Sequence, residues 1–250
     1  DHADIFNDLD EIKKQFHHLL KIIPSSGKII LFNDDKNALD VINNGCWADI
    51  IEINGDASRA SFDSSSSKIK FDENSVYIND LPFYGSHNNL NAVGAIISTS
   101  LCGINLNDAL NGLKDFSGVL RRLEHKGTFK GITILDDFAH HPTAIKSTIE
   151  AVKEKYNGKK VLNIIELGSN TMSGGFHGDE LYSIDNLESE ILWLDHKSIL
   201  QNNKGNICNS YDNLIKSISE IYSDFDIILI MTNKKSKNIF KPLKDIIEAN

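Results

Sequence analysis

Cysteine is scarce in this sequence: three residues among 250, at Cys46, Cys102 and Cys208. They are scattered, odd in number and at no metal-ligand spacing, which suits a reducing, cytoplasmic compartment better than a disulfide framework. No apolar run approaches the roughly 18 residues a membrane-spanning helix requires, and no signal-peptide pattern opens the chain. Positive charge is also short. Lys and Arg number 26 against 35 Asp and Glu, a formal net charge of −9, which argues against a general nucleic-acid binder because a phosphate backbone needs a basic face. Partners are therefore expected to be small molecules held in a local pocket. Three signatures are missing as well: the Gly-x-x-x-x-Gly-Lys-Ser/Thr phosphate loop, the Gly-x-Gly-x-x-Gly dinucleotide fingerprint and the Gly-x-Ser-x-Gly nucleophile elbow. If the chain handles ATP, it lacks the part that cradles the β- and γ-phosphates.

What is present is ordinary for a globular α/β protein: 40% hydrophobic and 24% charged residues, in a length that fits one large domain or two small ones. Ile12, Phe16, Leu19 and Ile23 recur at three- and four-residue steps and predict an amphipathic helix over 8–23. Strands are predicted at 28–32 and 49–53 around a helix at 37–44, an alternation that implies a mainly parallel sheet with covering helices. The polar stretch 58–68 reads as a loop. Residues 69–71 and 76–78 flank Asp72-Glu73-Asn74 as a hairpin. Helices follow at 90–101 and 106–116. The second half predicts strands at 132–136, 161–166, 190–194 and 226–231 and helices at 142–156, 211–222 and 238–248. That is a doubly wound domain of about 130 residues. A boundary is placed near Phe116-Ser117-Gly118, giving domains at 1–115 and 116–250.

The densest chemistry lies in Asp136-Asp137-Phe138-Ala139-His140-His141-Pro142-Thr143. A strand that ends in acids and opens into a helix is where open α/β sheets place ligand-binding groups. An Asp there can hydrogen-bond a ribose hydroxyl, or simply cap the helix. The paired histidines could join acids around a metal, but neighbours in sequence do not share a face, and no further ligands stand at helical or strand spacing. Upstream, Arg121-Arg122 suits a phosphate or solvent. In Gly85-Ser86-His87-Asn88-Asn89-Leu90-Asn91, Asn88 and Asn91 share a helix face; their amides match a purine edge or cap the helix. Ser169-Asn170-Thr171-Met172, followed by His177-Gly178-Asp179-Glu180, stands after a predicted strand, where substrate loops occur. Asp1-His2-Ala3-Asp4 could ligate a divalent ion or fray as a terminus.

Taken in order, Asp1 to Phe6, Lys14 to Leu19, Gly45-Cys46-Trp47, Gly85 to Asn91, Arg121 to Glu124, Asp136 to Thr143 and Ser169 to Met172 resemble the Mur ligase family. The last two segments resemble its murein-peptide recycling branch. The resemblance implies the later part of a central ATPase domain, over 1–115, followed by a Rossmann-like C-terminal domain with a mainly parallel sheet, over 116–250. It further implies that the chain, opening on Asp1 rather than Met, is part of a longer protein and is inert alone. The implied activity is ATP-dependent amide-bond formation between a murein tripeptide and UDP-N-acetylmuramate through an acyl phosphate, with Mg²⁺. His2 matches a Mg²⁺-associated histidine. His87, Asn88 and Asn91 lie on the adenine side, Arg122 meets phosphate, Asp137 the ribose, and Phe138 lies near adenine. Arg122 and His140 are the implied catalytic residues. Ser169, Asn170, Thr171, Met172 and Asn233 are implied to read the peptide. A metal-dependent hydrolase and a non-catalytic nucleotide- or peptide-binding module are the alternative readings.

Two departures from the recycling branch stand out. Glu166-Leu167-Gly168 replaces the branch's Glu-Pro-Arg, and Met231-Thr232-Asn233-Lys234-Lys235 replaces a Gly-rich stretch. Both fall in the peptide-recognition region, and the lysines are candidates to replace the lost cationic charge.

Overall fold

The computed structural model describes residues 2–56, 58–184, 187, 189–200 and 206–249, without the side chain of Asp179. The chain divides into two compact units, Ile5–Ser117 on one side and Asp1–Asp4 with Gly118–Asn250 on the other.

The Ile5–Ser117 unit runs α1 (Leu9–Leu20), β1 (Lys28–Phe32), α2 (Lys36–Asn43), β2 (Asp49–Ile53), β3 (Ala60–Asp63), β4 (Lys68–Phe71), β5 (Asn74–Tyr77), α3 (Ser86–Leu101) and α4 (Leu106–Lys114). Asp8 starts α1 by accepting a hydrogen bond from the Glu11 N–H, and Asp35 does the same for α2 with Ala38. This is the role for which short acidic side chains are favoured at helix starts. The sheet order is β1-β2-β3-β4-β5. The pairs β1–β2 and β2–β3 are parallel, whereas β3–β4 and β4–β5 are antiparallel. Val93, Ile96 and Ile97 of α3 and Leu106 and Leu110 of α4 bury against Ile53, Phe62 and Ile69 of the sheet. The polar stretch expected to be a loop therefore contains a strand. In β3, Ala60 and Phe62 point inward while Ser61 and Asp63 face solvent. This is the period of two that a half-buried strand requires, carried by two apolar residues beside a run of serines.

The Gly118–Asn250 unit runs β6 (Glu124–Phe129), β7 (Ile132–Asp137), α5 (Pro142–Lys155), β8 (Val161–Glu166), α6 (Asn170–Ser173), α7 (Gly178–Ile184), β9 (Glu190–Leu194), β10 (Asn206–Cys208), α8 (Tyr211–Ile221), β11 (Ile227–Met231) and α9 (Lys237–Ala249). The sheet order is β10-β9-β8-β11-β7-β6, and every pair but the antiparallel β6–β7 edge is parallel. Strands β8 and β11 are buried nearly throughout, as expected of a parallel sheet covered on both faces. The sequence analysis does not find β6, because Glu124, Lys126 and a register shift between His125 and Gly127 break the apolar alternation. Helices α6 and α7 are too short for a helical period to show.

Ile164, Ile228 and Ile230 are fully buried in this second core. Ile164→Ala removes three buried carbons and leaves a cavity, so it should cost about 2–5 kcal/mol of stability in the Gly118–Asn250 unit. Denaturant unfolding followed by Trp193 fluorescence measures this, and a loss below about 1 kcal/mol would contradict the packing described.

Candidate functional site

The site is built where β7, β8 and β11 end. A knot of polar groups fixes this edge. Asp137, the last residue of β7, is 3% exposed. Its Oδ2 accepts the Leu123 N–H at 2.8 Å and its Oδ1 accepts the Ala139 N–H at 2.7 Å, with the Thr148 hydroxyl donating at 3.4 Å. The Phe138 N–H in turn donates to the Arg121 carbonyl at 2.8 Å. Asp137 thus ties the turn 121–123 to the strand end. The turn is held in an uncommon conformation, with φ of 59° at Arg121 and 50° at Leu123, a region that non-glycine residues seldom adopt and that persists only where surroundings over-determine it. At Asp137, where a ribose contact was expected, the carboxylate is buried and accepts from three internal donors.

That turn presents the two arginines differently. Arg121 is half-buried, donates to the Thr232 carbonyl and lies 3.7 Å from the Asp136 carboxylate. Arg122 is exposed, and among the described residues no carboxylate lies within ion-pair reach of it. Both guanidiniums approach the Phe138 ring, at 4.8 Å for Arg121 and 5.7 Å for Arg122, within cation–π distance. The His140 ring meets the same Phe138 edge-on at 5.1 Å, and its Nδ1 lies 2.8 Å from the Phe138 carbonyl. Arg122, Phe138 and His140 therefore form one surface group, and Arg122 is its available cation.

Asp136 points to the other side of the strand and is also buried. Ser236 donates to its Oδ2 at 2.6 Å, while Oδ1 has no hydrogen-bond partner. Burial pushes its pKa above the ordinary carboxylate value, outweighing the opposing pull of Ser236 and the Arg121 guanidinium.

Beside it opens a cleft of about 640 Å³ lined by residues that include Arg121, Glu166, His196, Tyr211, Asn233 and Lys234. Its floor is the buried Glu166 carboxylate, which accepts the Tyr211 hydroxyl at 2.7 Å and the Thr232 hydroxyl at 2.5 Å, with His196 Nε2 at 3.4 Å. Burial, then the bond to Glu166, pushes the Tyr211 pKa up to about 12, so the phenol stays a donor. Asn233 carries a buried Oδ1 without a partner. Glycine at 168 is required for this packing: a Cβ there would stand 2.6 Å from Asn233 Oδ1 and 2.8 Å from Lys234 Cγ. The two departures noted in the sequence are thus one spatial arrangement, in which Lys234 fills the room a side chain at 168 would take.

The remaining expectations fare unevenly. Ser169 caps α6, with its Oγ accepting the Met172 N–H at 3.2 Å. Thr171 and Met172, expected to read the peptide, are 2% and 0% exposed and belong to the core of this loop. Asn170 alone of the four is exposed, and its Nδ2 donates to Asp4 at 3.1 Å. His2 is exposed with φ of 65°, and Asp1 lies outside the described residues. In the other unit the capping alternative for the asparagines fails. Gly85, at φ 95°, is the N-cap of α3, a conformation that favours glycine. Asn88 and Asn91 stand inside the helix, with Asn88 Nδ2 donating to the Tyr84 carbonyl at 2.8 Å. His87 and Asn88 are half-buried and Asn91 is exposed. The sequence finds no ligands to accompany His141. The structure supplies two, His177 and Glu180, whose ligand atoms and that of His141 all lie within 4.8 Å of one another. The three-residue step from His177 to Glu180 was the one visible signal.

The Gly118–Asn250 unit is a mainly parallel, doubly wound sheet with an arginine-bearing turn at its strand ends, and comparison with known proteins gives the class. The family model described as Mur ligase middle domain matches residues 1–99, and that described as Mur ligase, glutamate ligase domain, matches residues 121–234. The chain belongs to the Mur ligase family. It is 39% identical over 187 residues to the UDP-N-acetylmuramate–L-alanyl-γ-D-glutamyl-meso-2,6-diaminoheptandioate ligase of Escherichia coli, covering 72% of this chain and 41% of that protein. The Haemophilus influenzae protein of the same name is 37% identical over 186 residues, with the same coverage. The crystal structure of a murein peptide ligase from Psychrobacter arcticus superposes with a TM-score of 0.74 at 30% identity, over 98% of this chain and 56% of that one. The chain thus spans about two fifths of the length of these curated relatives.

Two outcomes follow from the strand-end acids. Asp137→Ala strands two buried N–H groups, so it should destabilise the Gly118–Asn250 unit by roughly 2–4 kcal/mol in denaturant titrations; a loss within about 0.5 kcal/mol would contradict the knot. Asp136 makes stability depend on pH. The folded state holds its proton more tightly than the unfolded chain, so its contribution is full below the ordinary value of 3.8 and is lost as pH rises through the raised folded value. The stability of Asp136→Asn relative to the parent should therefore improve as pH rises from about 3 to about 6. Parallel stability curves would refute this.

Proposed function

We propose that the protein to which this chain belongs is a cytoplasmic ATP-dependent ligase that joins a murein tripeptide, L-Ala-γ-D-Glu-meso-diaminopimelate, to UDP-N-acetylmuramate in cell-wall peptide recycling. The observation that carries the reading is the 39% identity to the Escherichia coli ligase over 187 residues, a stretch too long to lie within one unit. No described helix is long and apolar enough to cross a membrane.

The chemistry has two steps. The γ-phosphoryl group of ATP passes to the lactyl carboxylate, giving an acyl phosphate and ADP. The peptide amine then attacks the activated carbonyl, loses a proton and expels phosphate from the tetrahedral intermediate, leaving an amide. Catalysis of this kind rests on positioning and on charge neutralisation. Arg122 fits the second task, being an exposed guanidinium without a carboxylate partner on a turn that Asp137 holds still. Asp137 then serves ATP by positioning Arg122, and His140 and Phe138 shape the same surface. His87, Asn88 and Asn91 offer donors and acceptors for the adenine edge. For Mg²⁺, an ion that takes near-octahedral oxygen coordination, the described residues contribute one matched side chain, His2, which does not make a site alone; no step is assigned through it.

The amine substrate is read in the cleft floored by Glu166. Lys234 and Lys235 are exposed at its rim and supply cations for the carboxylates of the diaminopimelate end, in place of an arginine that Gly168 cannot be without displacing Asn233 and Lys234.

In the intact protein, Arg122→Ala should lower kcat for ADP release in the presence of tripeptide and UDP-N-acetylmuramate by about 100-fold or more, with native circular dichroism. An unchanged kcat would remove Arg122 from the site. Lys234→Ala with Lys235→Ala should raise the KM for tripeptide by about tenfold while leaving the KM for ATP alone. Unchanged tripeptide KM would reject the lysines as replacements for the lost charge.

A further inference from the structure

Where the segment from Ser169 to Ile184 meets the start of α5 lies a cluster that the proposed ligase chemistry does not use. His141 caps α5, His177 precedes α7 and Glu180 stands in its first turn, and α5 and α7 pack on each other. The two imidazole rings meet edge-on with centroids 4.6 Å apart. His177 Nδ1 lies 3.3 Å from Glu180 Oε2, close to the separation of adjacent ligands around a tetrahedral ion with bonds of about 2.0–2.1 Å.

A second observation makes the cluster more than a chance meeting. His177 is only 11% exposed in its side chain and is fixed between the Glu180 carboxylate, which its Nδ1 faces, and the edge-on His141 ring. His141 Nδ1 at present accepts the Thr143 N–H at 3.3 Å. That long bond is lost on ligation, and Pro142 at the first helical position keeps α5 started without it.

We propose that His141, His177 and Glu180 form a binding site for one late first-row divalent cation, Zn²⁺ or Co²⁺, which clasps α7 and the preceding loop to the start of α5. Two imidazoles and one carboxylate suit these ions, whereas Mg²⁺ and Ca²⁺ prefer oxygen donors throughout. The fourth position is left to water, as in open three-ligand zinc sites. The cation is distinct from any Mg²⁺ that accompanies ATP, and its role is to order the segment carrying Ser169 and Asn170. All three ligands lie in the Gly118–Asn250 unit, so the site does not depend on the ligase reading being right.

The test uses the full chain stripped of metal and titrated with Co²⁺ alone. The expected result is a saturable ligand-field absorption at about one equivalent, with an upward shift of the thermal midpoint that Mg²⁺ does not produce. His177→Gln and Glu180→Gln should each abolish the saturable band. Glu180 is 62% exposed, so its variant keeps the fold and its circular dichroism should match the parent. Absence of saturable Co²⁺ binding, or a band that survives in either variant, overturns the site.

Discussion

The Asp137 carboxylate is the constraint on which the rest of the site depends. It sits at the last position of β7, and its two oxygens accept backbone N–H groups from the turn before β6 and from the segment after β7. Hydrogen bonds to an ionised acceptor are stronger than neutral ones, and burial raises what is at stake when they are broken. This one side chain therefore sets where the turn 121–123 lies. The turn sets Arg122, and Arg122 with Phe138 and His140 makes the surface offered to a ligand.

The same logic runs through the neighbouring cleft. Glu166 ends β8 as Asp137 ends β7, and it gathers Tyr211, Thr232 and His196 from three other segments. Parallel strands deliver these acids to one edge of the sheet, which is why the chemistry collects there. Gly168 and Lys234 show how a sequence change is absorbed. The missing side chain at 168 leaves room, and Asn233 and Lys234 occupy it.

Much of this was legible before any coordinates. Strands β1, β2, β8 and β9 are dense in β-branched and leucine residues and were placed at their observed bounds, and the cluster from Asp136 to Thr143 was found as the centre of the chemistry. What the sequence could not yield was direction of exposure. Asp137 has the residue type and position of a ligand contact, and the structure shows it buried as an internal anchor. Thr171 and Met172 belong to a recognisable segment but face the core, because a four-residue helix must bury something to stay in place. The meeting of His141 with His177 was equally hidden, since 36 residues of chain separate them and only the packing of α5 on α7 brings them together. Strands β3 and β6 escaped because edge and half-exposed strands carry polar residues that mask their period.

The central proposal is that the Asp137-held turn of the Gly118–Asn250 unit presents Arg122 to the phosphates of ATP. The most direct measurement is a crystal structure of the intact protein with a non-hydrolysable ATP analogue. The account predicts the Arg122 guanidinium at about 3 Å from a phosphate oxygen and the Asp137 bonds to Leu123 and Ala139 unchanged. A bound nucleotide that does not touch Arg122 would contradict it.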